Sequence, residues 1–223
     1  MKIRNFSINL QKIVLFCAKL IIDDMKKTLF FVAAVFLLLV SMTTPIDTIN
    51  IPNPFKPKAL TLSFNYIRQD GPGSNQYAVW VENEKGEVVR TLFVTSFTTQ
   101  GRMRDGEALV RGYVKRPACV PTWVEHANPE LMSDEVLDGF TGATPRSGNQ
   151  SYKWDFKDAY GNPVPNGKYT VYLEATLYNE SSVLYAYDFQ IPAKKTKKTL
   201  IAHAGGSDLS HRNMVSDVKL RLK

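Results

Sequence analysis

The residues with the most specific chemical content form one short run, Asp138-Gly139-Phe140-Thr141-Gly142-Ala143-Thr144. Small and polar side chains are concentrated there, in a chain otherwise rich in aromatic and strand-forming residues. A loop threonine can present its hydroxyl to a modifying enzyme only if its neighbours do not obstruct access. Gly142 and Ala143 provide slim neighbours directly before Thr144. The run therefore marks Thr144 as a candidate site for covalent attachment of a group.

The spacing within this run resembles the acceptor sequence on which bacterial flavin transferases attach flavin mononucleotide (FMN). That sequence is Asp, two variable residues, Ser or Thr, Gly, Ala, and then Ser or Thr. The fixed positions are matched by Asp138, Thr141, Gly142, Ala143 and Thr144. The resemblance implies that a separate flavin transferase joins the cofactor phosphate to the hydroxyl of Thr144. The alternative is an unmodified Gly-Ala turn that connects an insertion to a strand.

Four nearby side chains are candidates to contact an attached flavin. Trp123, Phe140 and Tyr152 offer aromatic faces for stacking, and Arg146 offers a guanidinium that can neutralise the phosphate. For the three aromatic residues, ordinary core or loop packing is the alternative interpretation. An attached flavin would accept one or two electrons and pass them to an envelope redox partner, with the protein supplying orientation and tuning.

Other residue types that carry chemistry are scattered along the chain. His126, His203 and His211 are far apart in sequence, and Cys119 with His126 is too small a set for a metal site. Hydrolase elbows, zinc-protease helices and phosphate-binding loops have no counterpart in the sequence. We therefore expect a redox carrier or a binding module rather than an enzyme.

Residues 154–169 combine aspartates, glycines and prolines in a pattern typical of a structured turn. This corner resembles one found in immunoglobulin-like modules such as that of the flagellar hook-capping protein. Asp155, Asp158 and Asn162 also offer oxygen ligands for calcium, but their spacing differs from that of an EF-hand. Side-chain turns need no metal, so the sequence favours the structural interpretation.

The N-terminal region is typical of a secretory signal. Met25-Lys26-Lys27 precedes the apolar run Thr28–Val40, which is too short to cross a bilayer comfortably. We therefore expect a start at Met25, with residues 1–45 forming an extension and signal peptide, and a periplasmic or otherwise extracytoplasmic protein. The alternative is a retained signal, which would be the protein's only contact with the membrane.

Charge and cysteine content follow from that processing. The formal net charge of +7 falls to +3 without residues 1–27, and the remaining excess lies in the tail, residues 193–223. The body from Thr28 to Pro192 is net negative, which argues against a nucleic-acid-binding surface. The lysines at 194–198 are typical of a solvated loop. Cys119 is the single cysteine after processing, so the sequence predicts no intramolecular disulfide.

Alternating apolar and polar residues predict about seven short strands. We expect an all-β fold, an antiparallel immunoglobulin-like β-sandwich over residues 57–192, with a long, partly helical insertion at 98–150. The basic tail at 193–223 contains the final strand. The predicted strands are Leu60–Tyr66, Tyr77–Val81, Val88–Val94, Tyr152–Phe156, Lys168–Leu177, Val183–Ile191 and Val218–Leu222, and the predicted helices are Glu107–Tyr113 and Thr122–Ala127.

The wider pattern from Leu60 to Phe189 resembles a family of predicted periplasmic proteins, a domain of unknown function. The resemblance implies an extracytoplasmic sandwich domain that sometimes occurs in flavin-based electron-transfer systems. It is carried by Tyr77–Asn83, Gly86, Val89–Leu92, Thr141–Arg146, the Trp154-Asp155 corner and Tyr169–Glu174. The competing hypothesis is a non-enzymatic module that binds an envelope protein or a ligand, without a cofactor.

Overall fold

The alternating apolar residues of the chain form the strands of two packed sheets. A computed structural model describes residues 59–71, 73–101, 110–178, 180–192 and 195–223. The expected start at Met25, the signal at Thr28–Val40 and residues 107–109 of the first predicted helix lie outside these ranges.

The described elements are as follows. The strands are β1 (Leu60–Tyr66), β2 (Gln76–Asn83), β3 (Val88–Thr95), β4 (Thr141–Gly142), β5 (Gly148–Trp154), β6 (Gly167–Tyr178), β7 (Ser181–Ile191), β8 (Thr196–Thr199), β9 (Ala204–Gly205) and β10 (Val215–Leu222). The helices are α1 (Ser96–Gln100), α2 (Gly112–Lys115), α3 (Pro121–Ala127) and α4 (Asp134–Asp138), with 3-10 turns at Pro129–Leu131 and Arg212–Met214.

The smaller sheet has the order β5-β1-β10-β8, and the larger has the order β4-β3-β2-β6-β7-β9. Strand β10 lies between β1 and β8, so the tail completes the smaller sheet and belongs to the same compact unit as the sandwich. Among the described strands, neighbours are antiparallel except β3 and β4, which are parallel.

The main core lies between the two sheets. Apolar residues of β1 and β10 pack there against those of β2, β6 and β7. Every second residue of β1 is buried, beginning with Leu60, as its alternation predicts. The expected all-β sandwich is thereby confirmed, whereas its immunoglobulin-like connectivity stays a prediction.

The insertion covers the outer face of the larger sheet. Strand β2 is buried on both faces, because Ala78 and Trp80 point away from the main core and pack with Trp123 and Leu137 of the insertion. The insertion thus builds a second, smaller core. The unbroken apolar run from Tyr77 to Val81 is typical of a strand that is buried on both faces.

Several boundaries differ from the predicted ones. The second predicted helix is confirmed as α3, whereas helix in the described part of 107–113 begins only at Gly112. Strand β5 ends at Trp154, since Phe156 has a positive φ of 62° that an extended strand does not allow. The prediction of a loop at 194–198 is wrong where Thr196–Thr199 forms edge strand β8, on which exposed lysines discourage pairing with other chains.

Candidate functional site

The predicted acceptor run forms the edge of the larger sheet. Thr141 and Gly142 make up β4, which pairs with Val94 and Thr95. The amide of Val94 also donates to the carbonyl of Phe140 at 3.1 Å. The middle of the run is therefore an ordered edge strand, and Ala143 and Thr144 follow where that strand ends.

Two of the fixed positions anchor the run to helix α1. Gln100 Nε2 donates to an oxygen of Asp138 at 2.7 Å. The hydroxyls of Thr99 and Thr141 are 3.0 Å apart, within hydrogen-bonding distance. Asp138 ends α4 and Thr141 begins β4, so these two bonds fix the chain immediately before the predicted acceptor.

Gly142 is required by packing rather than by backbone conformation. A Cβ at this position would lie 2.6 Å from Cε2 of Phe93, a distance that real contacts do not reach. The absent side chain lets the aromatic ring pack directly on the β4 backbone. Ala143, the next residue, is exposed.

Thr144 is half-buried, and its hydroxyl donates to the carbonyl of Asn75 at 3.3 Å. This bond uses the hydroxyl proton and leaves the oxygen lone pairs unused. A carbonyl orients a hydroxyl but does not deprotonate it, so a modifying enzyme must supply the base. Attachment through a phosphate needs an accessible hydroxyl, and the hydroxyl of Thr144 fits this requirement.

Arg146, the predicted phosphate partner, is exposed two residues further along the chain. Its carbonyl accepts a long hydrogen bond of 3.5 Å from Gln150 Nε2. The next residue, Ser147, accepts from the amide of Arg68 at 2.9 Å, which ties this segment to the end of β1. The guanidinium is therefore attached to an anchored segment close to Thr144.

The three aromatic candidates serve as packing residues. Trp123 is 0 % exposed and donates from Nε1 to Thr91 Oγ1 at 3.1 Å, so its predicted stacking on a flavin is wrong. Phe140 meets Trp123 edge-on, with ring centroids 6.1 Å apart. Tyr152 lies against the main core, and its hydroxyl is 2.5 Å from that of Tyr77.

A buried carboxylate organises helix α3. Glu174 on β6 is 3 % exposed and accepts hydrogen bonds from the amides of Thr122 and Trp123 and from the Thr122 hydroxyl. These amides belong to the first turn of α3 and have no partner within the helix. Burial raises the pKa of Glu174, and the bonds from Trp123 and Thr122 oppose that shift.

A second buried carboxylate, Glu82, lies on the same outer face. It is 2 % exposed, accepts from Trp80 Nε1 at 2.5 Å, and lies 2.6 Å from Nδ1 of His126. Sequence reasoning assigned neither Glu82 nor Glu174 a role. The available signal was the apolar character of their neighbours Ala78 and Trp80 on the same face of β2, which indicates a covered face.

The corner at residues 154–169 is a side-chain turn. Asp158 accepts from the amides of Tyr160 and Asn162 at 2.9 and 2.8 Å. Although burial opposes the shift, these hydrogen bonds lower the pKa of Asp158. Arg90 reaches across from β3 and donates to the Asp158 carbonyl at 2.9 Å. Within the described ranges, no group of three His, Cys, Asp or Glu residues is arranged to hold a metal ion.

The described residues define a small β-sandwich domain of two packed sheets, with the short strand β4 at the edge of the larger sheet. The model of a family described as "Predicted periplasmic protein (DUF2271)" matches residues 59–210. The chain belongs to this family of predicted periplasmic proteins, and the expected extracytoplasmic location is confirmed.

Two further comparisons gave no relatives: no curated protein and no solved structure matches the chain significantly. Within the described residues, no helix combines the length and apolar character needed to cross a bilayer.

Proposed function

We propose that this protein is an extracytoplasmic electron carrier with FMN covalently attached to Thr144. The observation that carries the proposal is the position of Thr144, which follows an anchored edge strand and is held by one backbone carbonyl. Asp138, Thr141 and Gly142 fix the run through α1 and Phe93, and Ala143 leaves the approach to Thr144 slim.

Attachment requires a flavin transferase and a flavin dinucleotide donor. Thr144 Oγ1 forms a bond to the phosphorus that carries the flavin, the phosphoanhydride bond breaks, and adenylate leaves. The Thr144 proton passes to a base of the transferase, because the Asn75 carbonyl cannot accept it. Arg146 offers the positive charge that a phosphodiester beside Thr144 needs.

When bound, the flavin supplies reversible transfer of one or two electrons. An electron donor and an electron acceptor of the envelope would then use the domain in turn. The domain would hold the cofactor where these partners can reach it.

The test is expression of the precursor with a flavin transferase in a bacterial envelope. Denatured wild-type protein should show flavin fluorescence and a mass increased by one flavin mononucleotidyl group. Thr144→Ser should retain the label because the hydroxyl remains, and Thr170→Ala, at a distant strand hydroxyl, should also retain it. No label on wild type, while a known acceptor is labelled in parallel, rules the proposal out.

One observation favours the alternative of an envelope-binding module without cofactor. The insertion exposes Leu131 and Val136, and Tyr160 of the corner is 89 % exposed. Val136 and Tyr160 border a cavity of about 300 Å³ together with Met132 and Phe140. Exposed apolar groups beside a cavity are common at interaction sites. Capture of an envelope protein by unlabelled wild type, lost with Tyr160→Ser and Val136→Ser, would support this alternative.

A further inference from the structure

A second cavity, of about 310 Å³, opens at the end of the larger sheet where β6 and β7 meet. Its wall combines apolar and charged groups. The apolar part comes from Cys119 and Leu177 with the ring of Tyr178, and Arg116 and Glu180 contribute opposite charges. Burial raises the pKa of the Cys119 thiol to about 11, against the effect of Arg116, so this part of the wall is uncharged at neutral pH.

Residues 73–75 connect this cavity with the Thr144 hydroxyl. Arg116 Nη1 donates to Ser74 Oγ at 3.0 Å, and Thr144 donates to the carbonyl of Asn75, the next residue. Gly73 belongs to the cavity wall. At 3.8 Å per Cα step, Gly73 lies within roughly 13 Å of the Thr144 hydroxyl. A phosphate and ribityl chain extends on the order of 10 Å at bond lengths of about 1.5 Å, and the ring adds further length, so the cavity wall at Gly73 is within the span of a flavin tethered at Thr144.

Arg116 and Tyr178 of the wall are held in place by neighbouring side chains. The guanidinium carbon of Arg116 lies 5.3 Å from the ring centre of Phe97, in the same helix α1 that anchors Asp138 and Thr141. The Tyr178 hydroxyl donates to Asp208, and the ring of Tyr178 meets His211 edge-on at 5.8 Å. A preformed wall lowers the entropic cost of seating a rigid ring.

The cavity beside Tyr160 is the alternative seat, because Gly139 and Phe140 of the acceptor run line it. Phe140 is four residues from Thr144, which is at most roughly 15 Å at 3.8 Å per Cα step. The same measure places Gly73 of the first cavity within roughly 13 Å of the Thr144 hydroxyl. Arg90 Nη1 in the wall of the alternative cavity donates to the carbonyls of Asp158 and Ala159.

We propose that the cavity between Arg116 and Tyr178 seats the isoalloxazine ring of the flavin attached at Thr144, an inference that rests on the proposed function. The flat ring has an apolar edge and an edge of carbonyl and nitrogen acceptors. The apolar wall suits the first, and the Arg116 donors suit the second. Because reduction adds electron density to the ring, the guanidinium also favours the reduced form.

Filling each cavity with a bulky side chain tests the site of the ring separately from flavin attachment at Thr144. Ala118 lines this cavity and Ala159 lines the other, so Ala118→Trp and Ala159→Trp form a matched pair. Intact mass should show full flavin attachment in both variants. With Ala118→Trp the visible circular dichroism of the flavin should be lost and its fluorescence should rise to the denatured level, whereas Ala159→Trp should behave as wild type.

The charge of Arg116 gives an independent readout. Arg116→Gln should shift the flavin midpoint potential to more negative values, whereas Arg221→Gln, on the distant sheet, should leave it unchanged. Full attachment with unaltered flavin spectra in Ala118→Trp would overturn the ring site while leaving attachment at Thr144 intact. Loss of the spectra with Ala159→Trp instead would place the ring in the other cavity. Unmodified wild-type protein would overturn both proposals.

Discussion

At the scale of single residues, four of the five fixed positions of the acceptor run have a physical role in this structure, and the fifth, Ala143, is exposed. Asp138 and Thr141 bind α1, Gly142 makes room for Phe93, and Thr144 is oriented by a carbonyl. The first three roles hold the backbone and the last presents a hydroxyl. The fixed positions of the acceptor-like pattern thus coincide with residues that order this edge of the larger sheet.

Gly142→Ala should destabilise the protein by about 1–3 kcal/mol, because the new Cβ overlaps the Phe93 ring. Urea unfolding measures the change. Gly139→Ala is the matched control, since Gly139 lies at φ −61° and its Cβ would meet only the carbonyl oxygens of Val136 and Glu135, at 3.3 and 3.7 Å. A control loss as large as that of Gly142→Ala would contradict the packing explanation.

Thr144→Ala should abolish flavin attachment while leaving the free energy of unfolding within about 0.5 kcal/mol of wild type, since its single hydrogen bond is long and half-exposed. Intact mass and urea unfolding check the two parts. Attachment that persists in Thr144→Ala would show that another residue is the acceptor.

At the scale of elements, short helix α3 depends on a carboxylate from the sheet beneath it. Val120 precedes the helix in a left-handed conformation and gives no side-chain cap. Glu174 caps the helix instead, because it accepts hydrogen bonds from the amides of Thr122 and Trp123. These bonds fix the insertion on the outer face of the larger sheet. The helix itself was predictable from Pro121 and the apolar spacing. Its cap was not, because Glu174 is distant in sequence.

Glu174→Ala should destabilise the fold by about 1–3 kcal/mol, because two buried amides and a hydroxyl lose their acceptor. Glu125 is an exposed glutamate on α3, and Glu125→Ala should change the free energy of unfolding by less than about 0.5 kcal/mol. Thermal and urea unfolding measure both changes, and equal losses in the two variants would contradict the capping role of Glu174.

At the scale of the whole molecule, the tail is part of the fold. Strand β10 completes the smaller sheet, and the loop before it is tied to the β6–β7 turn through Asp208. Asp208 accepts hydrogen bonds from Ser210 and from the hydroxyl of Tyr178, and it lies 3.0 Å from Nδ1 of His211. These partners hold the pKa of Asp208 well below its usual range.

This pKa shift predicts a pH dependence. Asp208 binds protons less readily in the folded than in the unfolded chain, so its stabilising effect is complete above the unfolded pKa of about 4. That effect is lost as pH falls toward the folded pKa. Thermal unfolding from pH 7 to pH 2 should show the gap between wild type and Asp208→Asn closing with acid. Asp217 is exposed, and the difference in unfolding temperature between wild type and Asp217→Asn should not shrink with acid in this way. A difference between wild type and Asp208→Asn that stays constant with pH would contradict the stabilising role of the Asp208 carboxylate.

The sequence allowed the strands to be predicted better than the site. Alternation located Leu60–Tyr66 and Lys168–Leu177 because a half-buried strand imposes a period of two. The motif identified Thr144, yet β4 was missed since two residues are too short for any periodic signal. The cavity joins Gly73, Arg116 and Tyr178, which only the tertiary fold brings together.

The most direct test of FMN attachment at Thr144 is to locate the flavin within the modified protein. Wild-type precursor is expressed with a flavin transferase, digested, and analysed by fragmentation mass spectrometry of the peptide that contains residues 138–146. We expect a flavin mononucleotidyl group on Thr144 of this peptide, with Thr141 unmodified. A fully unmodified peptide, or a group carried by Thr141 or any other residue, would contradict it.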